Sequence, residues 1–202
     1  MNLVQTERLH LRRFTEGDVD HLFILHNDPH VMKYLTGGKP IARDEIVRDY
    51  QARFAGFGYW AATARSTGDF LGWFAFHPNP DSTPDEYELG YRLHRAAWGQ
   101  GYATEGSRAL IALGFSEPGV RRVWAETMAV NLASRRVMEK CGLRHVRTFH
   151  LEWDDPLPGA EYGEVEYALT RAEWDEQSQA GGAVDAAPPP PDDAVDAIDG
   201  DV

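Results

Sequence analysis

Apolar and polar residues alternate through residues 3–14 around Leu9 and Leu11, the two-residue period of a strand. Thr15-Glu-Gly-Asp18 then offers a helix start, and Val19, Leu22, Phe23 and His26 fall on one helical face. Pro29 predicts the opening of a second short helix carrying Val31, Met32 and Leu35. After the Gly37-Gly38 break, residues 42–54 read as helical, with Ile46, Val47, Tyr50 and Phe54 three or four apart. Strands are expected at residues 59–64 and 70–77, joined by the turn Ser66-Thr-Gly-Asp69, and again at 87–94. A helix at 104–115, a strand at 122–128 and a helix at 131–141 ended by Gly142 follow. Residues 143–151 and 164–170 read as closing strands around a loop at 154–163.

At the junction between the strand at 87–94 and the helix after it stands Trp98-Gly-Gln-Gly-Tyr-Ala-Thr-Glu-Gly106. Gly99, Gly101 and Ala103 occupy alternate positions there. Small residues let backbone N–H groups approach a ligand closely, and the following helix turns its positive end toward it. The ligand suited to that arrangement is an anion, most naturally a diphosphate; the alternative is a turn that only links strand to helix.

The chain has 202 residues, 43% hydrophobic and 11% aromatic, which fits one folded domain with a substantial core. Its formal charge of −12 argues against nucleic acid as a partner, because phosphate backbones need clustered Lys and Arg. Half of that charge comes from the six Asp residues after Ala180, where no basic residue occurs. Residues 177–202, rich in Ala, Pro and Asp, are too poor in apolar side chains to offset the entropy of ordering and are expected to be a solvated tail. The alternative is an acidic arm docking on a basic surface. The single cysteine, Cys141, excludes an intrachain disulfide and fits a reducing, cytoplasmic setting as a small buried residue. No signal peptide or membrane span is apparent, and the eight histidines form no metal-ligand pattern.

Tyr91-Arg-Leu-His-Arg-Ala-Ala-Trp-Gly-Gln-Gly-Tyr-Ala-Thr-Glu105, then Asn131-Leu-Ala-Ser134, then Glu139-Lys-Cys-Gly-Leu143, resembles the GNAT superfamily of N-acetyltransferases. Thr6-Glu-Arg-Leu-His-Leu-Arg12 and Val165-Glu-Tyr-Ala-Leu-Thr170 resemble its branch of ribosomal-protein alanine N-acetyltransferases. The resemblance implies one α+β domain over residues 1–176: a mixed, mostly antiparallel sheet of about seven strands, helices on both faces, and a splayed strand pair that binds the cofactor. It also implies acetyl-CoA as donor, no metal, and direct attack by an amine acceptor in a ternary complex, with the protein a monomer or homodimer.

The resemblance assigns the pyrophosphate to the backbone amides of Gly99, Gln100, Gly101, Tyr102, Ala103 and Thr104. Trp98 stands where the family carries Arg or Gln, and Arg95 where many relatives carry proline. Leu93 is expected against the thioester, its N–H toward the carbonyl oxygen, where it would stabilise a developing oxyanion. Asn131 is expected on the pantetheine arm, and Ser134 near the sulfur to help protonate the departing thiolate. Both residues also suit helix capping. Met138 occupies the position where many relatives place a tyrosine acid. Glu88, which strand alternation sets on one face with Glu86, is expected to take the amine proton, and equally fits a surface residue paired with Arg. Glu105 reads as a first-turn charge for its helix. Trp60, Trp73, Tyr34 and Trp153 are expected either to line the acceptor pocket or to pack in the core. Two other readings compete: a non-catalytic acyl-CoA sensor, and a nucleotide-binding enzyme, the latter lacking both a P-loop Lys-Ser/Thr and a dinucleotide fingerprint.

Overall fold

The computed structural model describes residues 3–78 and 83–182. Its eight strands form one sheet in the order β1-β2-β3-β4-β5-β6-β8-β7. They are β1 (Leu3–Gln5), β2 (Leu9–Arg12), β3 (Tyr59–Ala64), β4 (Phe70–Pro78), β5 (Glu86–Leu93), β6 (Arg122–Met128), β7 (Arg144–Phe149) and β8 (Glu164–Thr170). Every neighbouring pair is antiparallel except β5 and β6. Five helices accompany them: α1 (Val19–His26), α2 (Arg43–Asp49), α3 (Tyr102–Ser116), α4 (Leu132–Lys140) and α5 (Arg171–Gly182). The α+β architecture with a mixed sheet is as expected, and the strand count rises from about seven to eight.

The extra strand arises because residues 3–14 fold back on themselves. Thr6 accepts the Leu9 N–H through its hydroxyl at 2.9 Å and donates its own N–H to the Leu9 carbonyl at 3.0 Å. That tight turn splits one alternating run into the hairpin β1–β2, a step that periodicity alone does not mark. The short helix expected after Pro29 is instead a run of turns ending at Gly37 and Gly38, both in the left-handed region. Residues 177–182, expected to be tail, continue α5, and Gln177 donates to the Gly142 carbonyl at 3.3 Å. Residues 183–202 lie outside the described part.

Two apolar layers sandwich the sheet. On one face Leu9, Leu11, Phe74, Phe76, Leu89, Val123 and Leu169 meet Leu110, Ile111 and Phe115 of α3 and Met138 of α4. On the other, Leu22 and Leu25 of α1, Ile46 of α2, and Tyr50 and Phe54 in the π-helical turn that follows it cover Ala61, Trp73 and Ala75. This second cluster ends at β4. α3 lies so close to β4 that a Cβ on Gly106 would meet the Phe74 ring at 2.4 Å, and one on Gly114 the Phe76 ring at 2.4 Å. Glycine at those two places lets the helix axis approach the sheet, which sets where its N-terminus points.

The turn into α1 is held by Asp18, 3% exposed, which accepts from both terminal nitrogens of Arg12 at 2.7 and 2.8 Å. The Thr15 N–H and hydroxyl add bonds of 2.8 and 2.9 Å. Burial alone would raise this carboxyl, but the bonds from Arg12 and Thr15 outweigh it and hold it below the ordinary value. Asp18→Asn, which leaves the Arg12 charge uncompensated, is expected to cost about 2–4 kcal/mol of unfolding free energy at neutral pH. A native pKa below the unfolded one means that this stability is complete above about pH 4 and lost as pH falls through the native value. Urea titrations of both proteins at pH 7 and pH 3 check this: the difference should be large at pH 7 and shrink at pH 3.

Candidate functional site

Three rungs join β5 to β6: Glu86 to Arg122, Tyr87 to Val123 and Glu88 to Trp124. β5 continues for five more residues without that partner. His94 donates its N–H to the Leu71 carbonyl at 2.8 Å. Alternation therefore turns the amides of Glu88, Gly90 and Arg92 toward β4, and those of Tyr91 and Leu93 toward the gap beside β6. An extended, amide-bearing ligand can pair with such an edge as an added strand would. The Leu93 carbonyl is taken by the Trp98 indole N–H at 2.8 Å, which ties the loop after β5 to the strand end. Trp98 thus braces the loop.

The loop runs from Gly99 into α3. Gly99 and Gly101 both have positive φ, 71° and 84°, and Gly101 is the N-cap of α3. Left-handed residues here aim successive N–H groups outward with the first-turn amides of Tyr102, Ala103 and Thr104, a concave donor array at a helix N-terminus. Arg8, which sequence reasoning missed, supplies a cation beside it. It donates to the Gln100 carbonyl at 2.8 Å, lies 4.6 Å from the Tyr102 ring centroid, and sits 3.3 Å from where a Gly101 Cβ would be. Glu105 holds Arg8 there, accepting from its Nε at 2.6 Å, its N–H at 2.8 Å and the Thr6 hydroxyl at 2.5 Å. Glu105 is a clamp between the β1–β2 turn and the loop, more than a first-turn charge. The only earlier signal for Arg8 was its place in the Thr6–Arg12 motif.

Asn131 caps α4: its side-chain oxygen accepts the Ser134 N–H at 3.3 Å, and its amide donates to the Thr127 hydroxyl at 3.0 Å. Ser134 faces β5, where the Tyr91 hydroxyl lies 2.9 Å from its Oγ and donates to its carbonyl at 3.0 Å. Burial pushes the Tyr91 phenol well above its usual range, so it stays protonated as a donor. Tyr91 was missed because a strand tyrosine reads as core. Met138 is itself core, 2% exposed, and Cys141 is buried as expected.

Opposite the α3–α4 layer, the face beyond β4 is acidic. Glu166, 6% exposed, is held by Arg122 and, at 2.7 Å, by Arg147; Arg122 also reaches Glu86 at 2.8 Å. Glu88, Glu126 and Glu164 have no such partner among the described residues. Glu88 therefore sits on the face expected for it, without the Arg pairing that was its other reading. Glu126 lies on β6 two residues beyond Trp124, the last residue paired with β5, and on the same face as Glu88. Displaced hydration raises the Glu126 carboxyl, and the carboxylates of Glu88, Glu164 and Glu166 raise it further. A carboxylate with raised proton affinity is the property a general base needs near neutral pH. Only the assembled sheet could reveal Glu126. The Trp124 indole N–H, buried and unpartnered, lies on the same face beside Glu88. Of the aromatic residues expected around an acceptor, Trp60 belongs to the core under α3, Trp73 lies on the acidic-face side of β4, and Trp153 is exposed. Among the described residues no cluster of three or more His, Cys, Asp or Glu could hold a metal, and no helix is long and apolar enough to cross a membrane.

The family model described as "Acetyltransferase (GNAT) domain" matches residues 8–144. A protein of Aspergillus fumigatus named FsC-acetyl coenzyme A-N(2)-transacetylase is 40% identical over 183 residues, covering 85% of this chain and 77% of that one. In three dimensions, a GNAT-family acetyltransferase from Bacillus anthracis superposes with a TM-score of 0.72 at 24% identity, covering 84% of this chain and 99% of that one. A spermidine N-acetyltransferase from Vibrio cholerae, solved with CoA and spermine, gives 0.68 at 16% identity with the same coverages. These two superpositions speak for the fold.

Glu105→Ala removes three acceptor contacts and releases Arg8. It is expected to cost about 1–3 kcal/mol in urea unfolding. Amide exchange at Gly99–Tyr102 should speed up selectively, and unchanged exchange there would mean that the loop holds its shape without the clamp.

Proposed function

Because the chain belongs to the GNAT family of acetyltransferases, we propose that it moves an acetyl group from acetyl-CoA to a primary amine by direct attack. The observation that carries this reading is the unpaired edge of β5 running into a glycine loop at a helix N-terminus. The diphosphate of the donor suits the amides of residues 99–104 and the Arg8 guanidinium. Arg8 offsets the missing Arg or Gln side chain at Trp98. The pantetheine arm, leaving that loop, meets the Leu93 amide first and the Tyr91 amide about 7 Å further on, two strand residues along. This order gives Leu93 to the arm and the Tyr91 N–H to the thioester carbonyl, one step from the expected assignment. Ser134, bonded to Tyr91 on the far side of the strand, then stands near the sulfur. Asn131 serves through the cap that orients Ser134.

The amine nitrogen bonds to the thioester carbon while the carbonyl oxygen gains charge against the strand amide. Collapse breaks the carbon–sulfur bond; the Ser134 hydroxyl, bonded to Tyr91, donates a hydrogen bond to the departing thiolate and helps to protonate it by relaying a proton from solvent water, so that neither hydroxyl is left ionised. The amine proton leaves to a carboxylate. Glu88 lies about 10 Å from Tyr91 along the strand, so it acts through water; Glu126, beside the gap on β6 with a carboxyl raised by burial and by Glu88, is the carboxylate we favour. The acceptor class implied by the alanine branch, a peptide N-terminus, stands beside small-molecule amines, the class named for the Vibrio cholerae neighbour.

The reading is tested by thermal shift and by thiol release on adding amines. Acetyl-CoA should raise the melting temperature by mass action, and Gly101→Val, which forces a branched side chain into a left-handed residue, should abolish the shift. A shift without thiol release from any amine would mark a sensor that binds acyl-CoA without turnover. Separately, Glu126→Gln should lower kcat/KM about 100-fold and flatten the acidic limb of the pH–rate profile, since the base works only when deprotonated. Loss of that limb in Glu88→Gln but not in Glu126→Gln would return the role to Glu88.

A further inference from the structure

Arg92 is a cation with no hydrogen bond or ion pair among the described residues. It lies on β5 between Tyr91 and Leu93, whose amides face the gap, and its side chain shares a face with Trp73 through the register. The guanidinium carbon is 5.0 Å from the Trp73 ring centroid. Stacking of that kind satisfies the flat face of the guanidinium and none of its five N–H donors. The Asp49 carboxylate, which attracts it, is already engaged by Arg53 at 2.7 Å, and Arg53 repels it. Burial together with Arg53 pushes the Arg92 pKa down to about 10. A half-buried charge in that position is uncompensated unless something else supplies the anion.

The acceptor must arrive over this face, because the side chains of Tyr91 and Leu93 pack into the α3 layer opposite. Gly90 next to Arg92 puts no side chain of its own on that face, where Ala75 and the Trp73 ring come within 3.4 and 3.8 Å of its Cβ position, so the indole is the surface between Arg92 and the carboxylate of Glu88. Along β5 this face is positive at Arg92 and negative at Glu88. A molecule with an amine toward Glu126 and an anion toward Arg92 matches that polarity. The neighbouring guanidinium also favours the neutral form of the amine, which is the form that attacks.

We propose that Arg92 binds a carboxylate that the acceptor carries within a few bonds of its reacting amine, so that the acceptor is an amino-acid-type amine. This inference rests on the N-acetyltransferase reading above. It is tested with matched acceptors that differ only in the carboxylate, lysine against cadaverine and phenylalanine against phenethylamine, in the full chain with saturating acetyl-CoA. The carboxylate-bearing member should be preferred in kcat/KM. Arg92→Gln should lose about 30-fold on that member and little on the other, with Arg92→Lys between them because it keeps charge without the fork. Equal losses on both members, or a wild-type preference for the decarboxylated amine, overturn the proposal. If no amine releases thiol, the transferase reading fails by itself. The inference is then read from CoA-loaded protein by calorimetry: N-acetylphenylalanine must bind more tightly than N-acetylphenethylamine, and Arg92→Gln must erase the difference. Indifference to either change refutes it.

Discussion

The short parallel ladder between β5 and β6 is the constraint on which the rest of the molecule depends. Three rungs, reinforced where Arg122 bridges Glu86 to Glu166, hold the two strands together at one end. Beyond Glu88 they part, and an edge lies open in the middle of an eight-stranded sheet. Edges normally sit at the sides of a sheet, where they are blunted or covered. An internal edge is shielded from other chains, so it can keep its amides free for an extended ligand without inviting aggregation.

Packing on one side of the sheet converts that gap into a site. Gly106 and Gly114 bring α3 against the rings of Phe74 and Phe76, so the helix starts close to the end of β5. Trp98 pins the intervening loop to the Leu93 carbonyl, while Arg8 and Glu105 pin it from the β1–β2 turn. The donor array of the loop is therefore held from two directions. α4 closes the other wall, with the Tyr91–Ser134 contact joining it to the open strand.

Charge is segregated in the same geometry. The loop end presents Arg8 and helix amides, the acidic face presents Glu88, Glu126 and Glu164, and Arg92 stands between them over Trp73. Partly buried charges without an internal partner, as Glu88 and Arg92 are, lose some hydration without a bond in return. On the same face Glu166 is bonded to Arg122 and Arg147, and at the turn into α1 Asp18 is bonded to Arg12 and Thr15, so the unpaired groups beside the open edge stand apart from these structural networks.

Local chemistry was enough to make several features legible. The strands at Arg122–Met128 and Glu164–Thr170 coincide with the alternating runs read for them, and Asn131 announces the start of α4 through its capping side chain. The glycine loop and its helix could be read because left-handed turns and helix starts are encoded within a few neighbouring residues. The hairpin within residues 3–14 escaped because its deciding bond, Thr6 to Leu9, is one of several turns the same residues could make. Arg8, Tyr91, Arg92 and Glu126 escaped for a different reason. Each acquires its surroundings from a residue far along the chain: Arg8 from Glu105, Tyr91 from Ser134, Arg92 from Trp73, Glu126 from the carboxylates of Glu88 and Glu164. A one-dimensional pattern reports which face a residue occupies on its own element. Which element stands across from it, and whether a charge there finds a partner, is decided only when the sheet is assembled.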